Sequence, residues 1–179
     1  MRKHILTTIL ALAGLTLGTA HAAPSDPSLR LLDRDAHGHL TLNGVPMGVR
    51  ITSFHECKGD PSTATAPCVL TAPEIDGYGT AEVHGLPPVK DGAGRLVFGA
   101  TDVTTHNGKI DGVILSFADA RYAKVFSDST SETVGLPDFT DHNGVQEWHG
   151  VLKNSYIVVV PADQNGEGAE YGVVYDPKP

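Results

Sequence analysis

Asn43-Gly44 and Asn107-Gly108 each separate two runs patterned for strands. Leu40 and Leu42 precede the first pair, and Val45, Met47, Val49 and Ile51 follow it at alternating positions. Leu96, Phe98 and Val103 approach the second pair, and Ile110, Val113, Leu115 and Phe117 leave it. Asn and Gly tolerate the positive φ that a two-residue turn requires, and period-two alternation buries one face of a strand. Both segments are therefore predicted hairpins. Pro46 has no N–H to give a ladder, so its strand must lie at an edge. A short helix over Val49 to Cys57 is the alternative for the end of the first run.

Between Cys57 and Gly94 the chain is rich in Pro, Gly, Ser and Thr, and a single strand is predicted at Thr80 to His84. The one helix is predicted from Ala118 to Thr133. Asp119 lies in its first turn, Ala118, Tyr122, Val125 and Phe126 form an apolar face, and Gly135 and Pro137 end it. Ser and Thr from Ser127 to Ser131 weaken its second half. Val145 to Leu152, Tyr156 to Pro161 and Ala169 to Tyr175 read as a meander with short turns between. The expected class is α+β, mostly β: an antiparallel sheet of hairpins and a meander, with one main helix packed on it. No internal repeat or low-complexity tract is evident.

The first 22 residues have another logic. Arg2 and Lys3 are followed by the apolar run Ile5 to Leu17 and then by Ala20-His21-Ala22, a small-x-small cleavage pattern. The run is shorter than the ~20 residues a membrane span needs. It is read as a secretory signal cut after Ala22, which places the mature protein in the periplasm or outside the cell. No Cys follows the cut to carry a lipid, and no later run is long enough to span a membrane. Residues 23–39, opening with Pro24, Asp26 and Pro27, are expected to form an arm, and 40–179 one α+β domain.

Removal of Arg2 and Lys3 leaves eleven Lys and Arg against 21 Asp and Glu, a net charge of −10 with His neutral. Such acidity opposes phosphate backbones and anionic lipid. Nucleic acid and membrane insertion are therefore not expected, whereas a basic protein partner is compatible. Oligomeric state is not legible. In an oxidising compartment Cys57 and Cys68 are expected to pair. Closing that short loop stabilises by about 3 kcal/mol in the chain-entropy model.

Catalytic and cofactor motifs fail one after another. His55-Glu56-Cys57 begins a zinc-protease motif and lacks its second His. His37 and His39 could share one face of a strand as weak metal candidates, but further ligands are not evident. Oxygen-rich stretches at Asp33, Asp35 and Gly38, and at Asp163, Asn165 and Gly168, miss the EF-hand Glu, since the twelfth residues are Gly44 and Val174. Gly-x-Ser-x-Gly and phosphate-loop patterns are missing. No catalytic residue and no cofactor are assigned.

The leading expectation is an exported protein-binding module, an inhibitor or immunity-type protein that neutralises another protein. Its contact is placed on the braced loop, at Lys58 and Asp60, where substitution should leave folding nearly intact. Trp148 on the sheet is the further anchor, against its ordinary reading as core. The competing expectations are a hydrolase of cell-wall polymer or polysaccharide whose acids assemble only in the fold, and a metal carrier built on His37 and His39.

Overall fold

The computed structural model describes residues 31–175. The signal segment 1–22 and the arm residues 23–30 lie outside the described residues. Within the arm, Leu32–Arg34 is a strand, β1, paired with β2 (Leu40–Leu42), which pairs in turn with β3 (Val45–Pro46). Irregular structure was expected there. The composition that argued for it lies upstream at Pro24 to Ser28, whereas Leu31 and Leu32 pack on the core. Asn43 at φ 49° and Gly44 at φ 80° make the turn between β2 and β3. Pro46 sits on the outer strand of this three-stranded sheet, as its missing donor demands.

The remaining strands form one nine-stranded sheet. In chain order they are β4 (His55–Glu56), β5 (Cys68–Thr71), β6 (Tyr78–His84), β7 (Phe98–His106) and β8 (Lys109–Phe117), then helix α1 (Arg121–Val134), then β9 (Phe139–Thr140), β10 (Gln146–Leu152), β11 (Ser155–Val160) and β12 (Glu170–Tyr175). The spatial order is β4-β5-β6-β7-β8-β12-β11-β10-β9, antiparallel except for the β4–β5 pair. The α+β, mostly β class is thus observed, with both predicted hairpins and the meander. Val49 to Cys57 is not a helix beyond the 3-10 turn Ile51–Ser53. Both outermost strands are two residues long, which leaves little ladder for a further strand to join.

One face of the sheet is buried. Ala81, Val83, Val103, Val113, Leu115, Ile157, Tyr171 and Val173 point into a core closed by Leu42, Val45 and Met47 of the small sheet and by α1. The helix buries Tyr122, Ala123, Phe126 and Thr130, and ends at Gly135 with φ 101°. Val125, expected on the buried face, is 49 % exposed; the true stripe steps by four from Tyr122 through Phe126 to Thr130. Phe126 meets Phe98, Phe117 and Tyr171 with ring centroids 5.1–5.4 Å apart, the separations and tilts that aromatic quadrupoles favour. None of the described helices is long and apolar enough to cross a membrane.

Four loops close in the same way. Asp35, Asp91, Asp141 and Asp163 are each followed at the third residue by a glycine, Gly38, Gly94, Gly144 and Gly166, with φ between 79° and 84°. In each, the Asp Oδ1 accepts the N–H groups of the second and fourth residues on, at 2.8–3.0 Å. The glycine N–H donates to the Asp carbonyl. The carboxylate replaces backbone partners that a tight turn cannot supply, and the glycine takes the left-handed conformation.

In the second of these loops Asp91 does more. Its Oδ2 accepts from Arg95 and, at 2.8 Å, from the Tyr122 hydroxyl, which ties the loop to α1. Bonds from the Arg95 side chain, then its backbone N–H, then Tyr122, hold the Asp91 carboxyl well below the usual carboxylate range. A depressed folded pKa adds stability above the unfolded value that disappears as pH falls through the folded one. Melting curves of the native chain and D91N should therefore differ by a constant amount above about pH 5 and draw together progressively as pH falls below about 4. A gap that stays constant down to pH 2 would refute this linkage.

Candidate functional site

The sites read from sequence are scattered. Cys57 and Cys68 are joined, with Cα atoms 4.9 Å apart, and the bond staples β4 beside β5. Lys58 is exposed. Asp60 is exposed too, but its carboxylate is spent inside the loop: Oδ1 accepts from the Ser62 N–H at 2.9 Å and the Ser62 hydroxyl at 2.7 Å, capping the turn Pro61–Thr63. Those two bonds lower its pKa. Asp60 was expected to be an exposed contact residue; the structure adds a local capping role within the loop. D60A should raise amide exchange at Ser62 about tenfold, as local opening becomes cheaper, while K58A leaves it unchanged; equal rates in all three proteins would count against the cap.

Trp148 is no surface anchor. Its ring is 1 % exposed and its Nε1 donates to the Gly135 carbonyl at 2.9 Å, fastening the end of α1 to β10. His37 and His39 do not share a strand face. They lie in the Asp35 turn, with ring centroids 6.1 Å apart, and His39 Nδ1 is engaged by Asp35 Oδ2 at 2.8 Å. Among the described residues no three His, Cys, Asp or Glu side chains are placed to hold a metal ion.

What the sequence did not reveal is the other face of the large sheet. Strand register places Leu70, Glu82, Asp102, Ile114, Gly172, Val158, Glu147 and Phe139 in one row across eight strands, β5 to β9 in spatial order. A neighbouring row runs from Cys68 and His84 of β5 and β6 to Ala100, Ser116, Glu170 and Val160. Leu70, Ile114, Val160 and Val174 lie outside the buried core, whereas Val158, in the same row, is itself buried at 9 % exposure. Helix α1 and the small sheet close the opposite face; on this one Leu70 and Phe139 are exposed and most other side chains of the two rows are half-buried.

The carboxylates give these two rows charge of one sign. The two rows contain no lysine or arginine; Lys109 lies farther along, opposite His106 at a hairpin tip. Glu82 and Asp102 are direct cross-strand partners, a placement that like charges disfavour. Burial, and then Glu82, push the Asp102 carboxyl up, with His84 opposing. Burial, and then Asp102, raise Glu170. His84 Nε2 lies 3.2 Å from Glu82 Oε1 but is not aligned as a hydrogen bond, so this buried nitrogen lacks one.

The chain matches no known family model, curated protein or solved structure.

Two His–Tyr stacks flank the rows on the same face. Tyr78 lies on His106 with centroids 4.5 Å apart, and His149 on Tyr156 at 4.8 Å, His149 being held by Glu147 at 2.8 Å. The disulfide loop forms one rim. Cys68 pairs with His84, and the backbone of Ala66 abuts Gly85, where any side chain would collide. Beside Glu82 and His84 the face opens into a recess of about 230 Å³ bounded by Leu86, Leu96 and Ala100. Placement on a rigid sheet, perturbed carboxyls and exposed aromatics give this surface the chemistry of a contact site.

Proposed function

We propose that the chain is an exported protein-binding module of inhibitor or immunity type, which docks its partner on the open face of the nine-stranded sheet. The observation that carries this reading is the eight-strand row from Leu70 to Phe139, which combines apolar and acidic side chains on the face turned away from the core cluster. The two-residue outer strands leave little free ladder, so a partner gains more from the face than from strand addition. The braced loop borders that face and supplies Lys58 as a peripheral contact. Export rests on the N-terminal signal pattern.

Photo-crosslinking residues placed singly at Ser116 on the face, Lys58 on the loop and Val125 on the outer side of α1 test the geometry. In the exported fraction, Ser116 should give one discrete adduct, Lys58 a weaker version of it, and Val125 none. An adduct formed from Val125 alone would move the contact to the helix and defeat the reading.

A second reading, a polysaccharide hydrolase, is favoured by the raised Asp102 carboxyl beside Glu82, the pairing that separates an acid from a base. Sugar release from cell-wall polymer that is lost in D102N would select it.

A further inference from the structure

We propose that the open sheet face is shaped for a basic, amphipathic stretch of a partner protein, one that presents lysine or arginine and apolar residues together on the same side. The inference rests on the docking reading above and names the chemistry of the occupant. The argument starts with what each simpler ligand would leave unsatisfied. A purely apolar surface would bury Glu82, Asp102 and Glu170 without partners, and buried unpaired charge is costly. A purely cationic one would leave Leu70, Ile114 and Phe139 wetted, although Leu70 and Phe139 are 42 % and 51 % exposed and available. Strands in a sheet lie about 4.8 Å apart, so along the row acidic and apolar side chains stand within a few strands of each other.

Charge complementarity then fixes the sign. Glu82 and Asp102 oppose each other across a strand pair, Glu170 lies close enough to feel Asp102, and neither row contains a basic residue other than His84. A lysine or arginine brought to this place removes a repulsion that the free protein carries, so part of the binding energy is relief and not new contact. The Tyr78–His106 and Tyr156–His149 stacks add aromatic surface at the two flanks, where cations are attracted to ring faces. Nucleic acid and anionic lipid meet the opposite sign here.

Binding is linked to protons. The groups facing Asp102 are Glu82 and His84 on β6 and Glu170 on β12, with Ile114 of β8 between; those facing Glu170 are Asp102 and the uncharged Ser116 and Val160. A bound cation favours the ionised form of both raised carboxyls, so complex formation releases protons and weakens as pH falls into the range where they protonate.

The test uses the mature chain and fluorescent peptides of twelve residues: a Lys-Ser-Leu-Ser repeat (Lys/Leu), which when extended sets Lys and Leu on one side, a Lys-Ser-Ser-Ser repeat (Lys/Ser) and a Glu-Ser-Leu-Ser repeat (Glu/Leu). Anisotropy at pH 7 should show the Lys/Leu peptide binding about tenfold tighter than the other two. E82Q/D102N/E170Q should weaken it about tenfold, and D128N/E132Q/E167Q, which removes as much charge elsewhere, by less than about twofold, with melting curves confirming that both are folded. Affinity for the native chain should drop between pH 7 and pH 4.5. Equal weakening by the two triple variants, equal binding of the Lys/Ser peptide, or no binding would each overturn the proposal. If that happens while Ser116 still gives its adduct, the face is a docking site for something not basic; if Ser116 gives none, the docking reading itself has failed.

Discussion

Replacing Trp148 with alanine is expected to cost about 3–5 kcal/mol of folding stability, the range for truncating a fully buried large aromatic. The ring fills the core between β10 and α1 at 1 % exposure, and its Nε1–H holds the carbonyl of Gly135, the residue that ends the helix. Alanine removes the volume and that bond together. Phenylalanine keeps much of the volume and removes the bond, so W148F should cost less, about 1–2 kcal/mol. Trp148 is the only tryptophan, so the unfolding of both variants is read by far-ultraviolet circular dichroism in urea. A loss under about 1 kcal/mol in W148A would mean that the ring does not hold the helix to the sheet.

The second large effect is expected from C57S/C68S, a loss of about 2–4 kcal/mol. Strand β4 pairs with β5 over only two residues, His55 with Cys68 and Glu56 with Val69, too short a ladder to hold the loop unaided. Without the bond β4 should detach while the sheet from β5 onward persists. Urea unfolding should therefore shift to lower concentration, and amides of residues 55–67 should lose protection before the rest. A double variant as stable as the native chain would show the bond to be idle.

Local chemistry made the hairpins legible. Asn43-Gly44 and Asn107-Gly108 specify their turns by conformational preference alone, and Gly135 marks the end of α1 in the same way. The four Asp-x-x-Gly loops were equally local, yet two of them were weighed as calcium ligands; what they bind is their own backbone. Cys68–Thr71 escaped notice as a strand because it is short and preceded by Pro67. Val125 was placed on the wrong side of the helix because a run with apolar residues at 118, 122, 125 and 126 fits two neighbouring faces equally well. The open face was beyond reach for a different reason. Glu82 and Asp102 are twenty residues apart, and Glu170 joins them only because β12 pairs with β8, a matter of strand order that no periodicity encodes.

That strand order also decides when the molecule can exist. β12 comes last among the strands and yet stands in the interior of the sheet, bonded to β8 on one side and β11 on the other. Strands β4 to β8 and strands β9 to β11 are separate half-sheets until Glu170 to Tyr175 is inserted between them. A chain emerging from a ribosome, or from a translocation pore with its N-terminus first, cannot close its core until residue 175 has been delivered. Long-range pairing of this kind folds slowly. The polypeptide stays threadable until β12 is delivered, and the two half-sheets join only when that strand arrives.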